Sequence, residues 1–342
     1  MFRVRVVEEN QAQGAARSIY EEMITAQAEI LMVRIQLWKL LRFALLLFCA
    51  VAVGGWDFSR HNVPLGEIHK GGPPKDGIPA LLTPKFISAR EAGRKLLEPG
   101  DRVLGFFWKG VAKAYPVKIL NWHEIVNDDF SGNPVAVTFC PLCGTGMVFD
   151  SVGESGPLTF GVSGLLYQSD MLMYDHKTES LWSQIKAEAI AGPLTGTRLR
   201  QLPSVHTTWK GWRAKYPDTL VLSDKTGYSR DYRRDPYEGY WASSDILFPV
   251  NNHSAKFHPK ETVLGVVIDG IAKAYPFSAL QKAKEGFKDR VGNSTIYVHF
   301  DKESQSAVIR NENGQEIPSV RGFWFAWFAF NPNTIIYEAS DN

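Results

Sequence analysis

Cysteine is scarce, with three in 342 residues. No Gly-x-Gly-x-x-Gly, Walker loop, His-Glu-x-x-His or Gly-x-Ser-x-Gly occurs, so the chain carries none of the usual signatures of dinucleotide binding, phosphate loops, zincins or nucleophile elbows. Gly161-Val-Ser-Gly164 lacks the elbow spacing. Charge of one sign is missing too. A net +2 from 38 basic and 36 acidic residues makes no field for nucleic acid, and no nucleic-acid partner is expected. Low-complexity and disordered tracts are absent. What remains is a chain long enough for one large domain or two ordinary ones, with 44% hydrophobic residues to build a core. Ten tryptophans point to aromatic packing ahead of an aromatic-lined binding surface.

Two of the three cysteines, Cys140 and Cys143, fall in Thr138-Phe-Cys-Pro-Leu-Cys-Gly-Thr-Gly-Met-Val-Phe-Asp150. A β-type run, Pro134–Phe139, leads in, and Met147–Phe149 leads out. A redox C-x-x-C places its first cysteine at a helix N-terminus, where the dipole lowers the thiol pKa. Here Gly144 and Gly146 oppose a helix. The local expectation is a tight turn between strands, like one knuckle of a zinc ribbon. Such knuckles come in pairs, and this chain has one. Two thiolates do not complete a four-coordinate site, so other residues or a ligand must contribute.

The amino terminus reads as an address. Three positive charges in residues 32–42 precede the apolar run Phe43–Val53, and Ala50-Val-Ala52 fits a cleavage site. Residues 32–55 are therefore expected to be a signal peptide or membrane anchor, with 1–31 an extension before a natural start at Met32. Membrane association is expected only through this segment, if uncleaved. In an oxidising compartment free thiols tend to pair, so a bound metal is the usual reason for keeping them reduced.

Residues 56–98 read as a wrapping arm rich in Pro and Gly, closing with a short helix capped by Ser88. The chain then repeats itself. Val103-Leu-Gly105 and Gly110-x-Ala-Lys-Ala-Tyr-Pro116 recur 160 residues later as Val263-Leu-Gly265 and Gly270-x-Ala-Lys-Ala-Tyr-Pro276. Trp209, Trp212 and the run to Leu222 recur at an offset of 115 as Trp324, Trp327 and the run to Tyr337. The expected fold class is α+β, mainly β. It is an internal duplication of a β-hairpin–helix–strand unit that gives two pseudo-equivalent halves, residues 99–258 and 259–342. A helix is expected over Val117–Asn127 and a strand over 170–176. The first half carries the cysteine turn and an insertion, Ser151–His206. The second has Phe300–Glu303 in place of the turn and Ala283 in place of His123.

That joint loss nominates His123 as a third metal ligand, against the alternative of a capped core histidine. Met171 and Met173 are candidate thioether ligands, or core residues. Glu124 and Asp128 are candidates to orient His123 or to act as acid or base. His176, His253 and His258 are expected at the surface. The charged aromatic run 230–241 is expected to be a solvated loop, with a ligand groove as the other reading.

Asn121-Trp-His-Glu-Ile-Val-Asn127, Cys140-Pro-Leu-Cys-Gly144, Ser163-Gly-Leu-Leu-Tyr167 with Met173-Tyr-Asp175, and Gly-x-Ala-Lys-Ala-Tyr-Pro together resemble a prokaryotic family known only as a domain of unknown function. The resemblance runs from about Phe58 to Tyr337 and implies an exported or membrane-anchored protein. It implies no activity and no protein partner. From the residues, three readings stand. The first is a soft-metal site using Cys140, Cys143, His123, Met171 and Met173, with copper ahead of zinc because thiolate, imidazole and thioether suit Cu(I). The second is an extracytoplasmic thiol-disulfide oxidoreductase. The third is a ligand-binding module with structural cysteines.

Overall fold

The computed structural model describes residues 55–153 and 156–339. The expected extension and signal or anchor segment lie outside them. Among the described residues no helix is long and apolar enough to cross a membrane.

Strands carry the chain, in five antiparallel or mixed sheets of four or five strands each. The sheets form a five-bladed β-propeller. One blade comes from the insertion. It hydrogen-bonds Phe160–Tyr167, Asp170–Asp175, Leu181–Ser183 and Glu188–Ala191 in series, with Ile68–Lys70 of the amino-terminal arm on its edge. A second blade is the meander Ile125–Asp129, Pro134–Cys140, Thr145–Asp150, closed by Arg200–Leu202. A third has the hairpin Arg102–Trp108/Val111–Pro116 at its centre, between Val205–Thr208 and Leu220–Leu222. A fourth has the hairpin Thr262–Ile268/Ile271–Pro276 between Val320–Phe323 and Ile335–Ile336. The fifth is Gly286–Val291, Ser294–Asp301, Ser306–Asn311 and Glu316–Ile317.

This corrects the expected fold class. The molecule is a ring of five blades and does not divide into two halves. The repeated Gly-x-Ala-Lys-Ala-Tyr-Pro motif was misleading because it marks one hairpin in one blade at each occurrence. The insertion between the occurrences supplies four strands of a further blade.

Each hairpin needs its motif for local reasons. Lys109 and Asp269 take φ near 50°, and the glycine after each takes φ of 80° and 77°. Those are the two left-handed positions of a tight hairpin turn. Gly105 and Gly265 leave room for an indole. A Cβ on either would stand 2.3 Å from Trp212 or Trp327. Each indole is then oriented by a 2.9 Å hydrogen bond from Nε1 to Thr219 or Thr334. Lys113, also from the motif, is buried in an ion pair with Asp128 at 2.8 Å, and Tyr115 donates to the same carboxylate. Asp128 is thereby committed to the scaffold.

The expected helix over Val117–Asn127 ends early. It spans Val117–His123, and Glu124 turns the backbone to φ 57° so that Ile125 starts a strand. Ser88 caps the short helix Ala89–Lys95 as expected, accepting from the Glu91 amide. Residues 236–243 belong to a separate small unit with one 3-10 turn, Tyr240–Ala242.

Candidate metal centre

The cysteine turn joins two central strands of the second blade. Cys140 pairs with Thr145 across the hairpin, and the Cys143 amide donates to the Cys140 carbonyl at 3.2 Å. Gly144 follows with φ 63°, and a Cβ there would press on the Phe323 ring at about 3.0 Å. The tight turn between strands is thus present. Its outer rim is pinned by the fourth blade, because the Phe323 amide donates to the Cys143 carbonyl at 2.8 Å. Thr145 and Thr138 are tied through Gln184 by hydrogen bonds of 2.7 and 2.8 Å. Both cysteines are reduced and buried.

A third residue meets them from the insertion blade. Phe160–Tyr167 and Asp170–Asp175 are joined by the two-residue turn Gln168-Ser169, with φ of 53° and 62°. That conformation is unfavourable without Gly or Asn. Here Gln168 is held from both sides: its amide donates to Glu67 at 2.9 Å and its carbonyl accepts from the Asn251 amide at 2.7 Å. The turn aims the Ser169 carbonyl at the Cys143 thiol, which donates to it at 3.3 Å. It also places Asp170 so that one carboxylate oxygen and both sulfurs lie within 4.8 Å of one another. Asp170 Oδ2 accepts from the Ile185 amide at 3.0 Å, while Oδ1 is enclosed with no hydrogen-bond partner. The neighbouring Ser169 hydroxyl is likewise enclosed and unpaired.

The electrostatics follow from dryness. Burial pushes the Asp170 carboxyl up to about 7, opposed by the Ile185 amide and by the two thiols and the Met171 amide that face it. Burial raises both thiols, Cys143 the more. Glu124, only 7% exposed, is raised to about 8 by burial and by the charge of Asp170. Its left-handed backbone suits glycine, the usual residue just past a helix end.

His123 is not in this group. It is fully buried, with Nδ1 2.7 Å from the Pro79 carbonyl and Nε2 2.6 Å from the Tyr232 hydroxyl. The carbonyl requires a hydrogen on Nδ1, so Nε2 accepts from tyrosine and neither nitrogen is left for a metal. Met171 and Met173 are core residues of the strand. Met171 pairs with Leu166, and Met173 with Val162 and Trp182. His176, His253 and His258 are exposed, as expected.

The turn, the acid and Glu124 all lie within residues 75–334, which match the model of a family described as "Protein of unknown function (DUF3179)". The chain belongs to that family. No curated protein and no solved structure matches it. The family therefore brings no chemistry of its own, and the side chains must supply it.

Asp170 is the site residue that the sequence reading misses. Asp170 carried one signal, an acid opening the otherwise apolar run Met171–Tyr174. Glu124 is named in the sequence as a partner for His123 or as an acid or base, but not beside the cysteines.

Proposed function

We propose that the protein is a metal-binding member of its family, exported or membrane-anchored, and that Cys140, Cys143 and Asp170 hold one divalent ion, zinc ahead of copper. One observation carries this reading: two sulfurs and a carboxylate oxygen, all from buried residues, converge within 4.8 Å. Thiols and a carboxyl gathered this closely away from solvent are the donors a cation takes. The expected donor set changes with it. An oxygen donor replaces imidazole and thioether, and thiolate with carboxylate suits Zn²⁺ better than Cu(I). Three protein donors leave one position in a tetrahedral ion. Glu124, buried, raised by the charge of Asp170 and itself acting on Cys140, is the candidate to act on a water held there.

The oxidoreductase reading is weaker. A working dithiol needs an accessible, low-pKa thiolate, whereas these thiols are enclosed and raised. The test is metal analysis of protein purified without chelator, alongside Cys143→Ser and Asp170→Asn. About one zinc per chain is expected in the wild type, and a large loss in both variants. A metal-free wild type that also takes up no zinc or copper on titration would end the proposal.

A further inference from the structure

Away from the thiols, three basic side chains converge from the third and fourth blades. Arg102 donates from Nη1 to the Ser304 carbonyl at 2.7 Å and from Nη2 to the Gln305 carbonyl at 3.3 Å. Arg321 directs Nη1 at His206 Nδ1, 3.5 Å away, and lies over the Phe277 ring at 5.6 Å. Its Nε is enclosed and has no hydrogen-bond partner. His206 is buried, with Nε2 3.3 Å from the Gly146 carbonyl. That carbonyl requires the hydrogen on Nε2, so Nδ1 offers a lone pair to the guanidinium. Gly146 makes the approach possible, because a Cβ there would stand 2.5 Å from Nε2.

Among the described residues neither guanidinium is paired with a carboxylate. Asp101 beside Arg102, and Asp301 and Glu303 beside the carbonyls it contacts, are engaged elsewhere: Asp101 with Lys118, Glu303 with Lys210, and Asp301 with Ser304. His206 supplies no charge, since burial and both arginines hold its pKa well below the usual value. Burial, together with the charge of Arg102, also lowers Arg321 to about 9. Two like charges act on each other, and Arg321 keeps an unused N–H. Buried charges are normally paired or ligated, since an uncompensated one costs several kcal/mol.

We propose that Arg102 and Arg321 form an anion site that takes a small oxyanion group (sulfate, phosphate or carboxylate), with Arg321 Nε as a principal donor and His206 as the residue that orients Arg321. A guanidinium edge presents parallel N–H donors that match two oxygens of such a group. Both arginines are half-buried as residues. The site is separate from the thiol cluster but mechanically joined to it. Gly322, next to Arg321, packs on Thr145, and Phe323 holds the Cys143 carbonyl.

The test is calorimetric titration of the full chain with sodium sulfate, sodium phosphate and sodium acetate in turn, at constant ionic strength set with sodium chloride. Expected is saturable binding of at least one oxyanion at one per chain, with a rise in the thermal midpoint that chloride does not reproduce. Acetate binding would point to a carboxylate ligand, and sulfate or phosphate binding alone to a tetrahedral one. Arg321→Gln should weaken binding about tenfold or more, in line with a charged hydrogen bond, while leaving the zinc content unchanged. Arg102→Gln provides the second variant if Arg321→Gln does not fold. No oxyanion binding by the wild type overturns the proposal, and so does wild-type affinity in a folded Arg321→Gln protein.

Discussion

His123→Asn separates the scaffold role seen for this residue from the ligand role the sequence suggested. The ring is fully buried and neutral, and burial lowers its pKa from 6.5 to about 4. A buried base with a depressed pKa takes up its proton in the unfolded chain first. The stability it contributes is therefore complete above about pH 6.5 and is lost as pH falls towards 4. One such proton gives a slope of up to about 1.4 kcal/mol per pH unit, or about 3 kcal/mol across the window. Asparagine keeps a donor for the Pro79 carbonyl but loses the ring and the tyrosine bond, at about 1–3 kcal/mol near pH 7. Urea unfolding from pH 4 to 8 should thus give two curves. The variant is weaker at pH 7, flatter below 6.5, and close to the wild type near pH 4.5. His206 is depressed in the same direction, so the variant keeps part of the acid slope. Its zinc content should equal that of the wild type. An unchanged slope would refute the buried neutral histidine, and loss of zinc would restore His123 as a ligand.

Glu124→Gln should stabilise the chelator-treated protein. A carboxyl raised from 4.5 to about 8 destabilises the fold increasingly as pH climbs through that window, so the gain is absent below about pH 4.5 and reaches up to about 3 kcal/mol at pH 7. Denaturant midpoints at pH 4.5, 7 and 8.5 check it, and a gain that shrinks with rising pH would contradict it. Gly105→Ala and Gly265→Ala should each cost about 1–3 kcal/mol or more, because the new methyl would sit 2.3 Å from an indole carbon. Thermal midpoints measure this, and a wild-type midpoint in either variant would mean that the indole has room to shift.

The parts of the fold legible in the sequence were those fixed by near neighbours. Lys109-Gly110 announced a hairpin, Ser88 a helix cap, and Cys-Pro-Leu-Cys-Gly a turn between strands, because each depends on backbone conformations a few residues long. The ring of blades was hidden. Closing it depends on contacts such as Phe323 to Cys143 and Phe160–Tyr167 against Ile125–Asp129, which leave no periodicity. The repeat at offset 160 was visible and drew attention to two hairpins at the expense of the insertion. The site followed the same pattern. The cysteines were found because their spacing is local. Asp170 arrives through a left-handed turn of Gln168 and Ser169, which carries neither of the residues that usually signal one. His123 lay close in sequence, yet the helix turns its ring toward Pro79 and Tyr232.

Charge balance supplies a separate argument about the ion. Two thiolates and Asp170 holding an ion carry −3. One further charged group lies close by. Lys260 is only 6% exposed, donates to the Asp245 carbonyl, and rests over the Phe325 ring at 5.3 Å. Burial lowers its pKa to about 8, opposed by Asp245 and by Cys143, so a thiolate at Cys143 would keep its proton on. A divalent ion together with that ammonium offsets more of this negative charge than a monovalent one, and uncompensated charge in a buried site is costly. Lys260→Met should therefore weaken zinc retention without removing a ligand, by about 10- to 100-fold, as expected for a partner that supports the ligands. Competition with a chromophoric chelator at pH 7.5 measures it, with Lys260→Arg as the charge-conserving control. Equal retention by Met, Arg and wild-type protein would show that the ammonium plays no part in balancing the site.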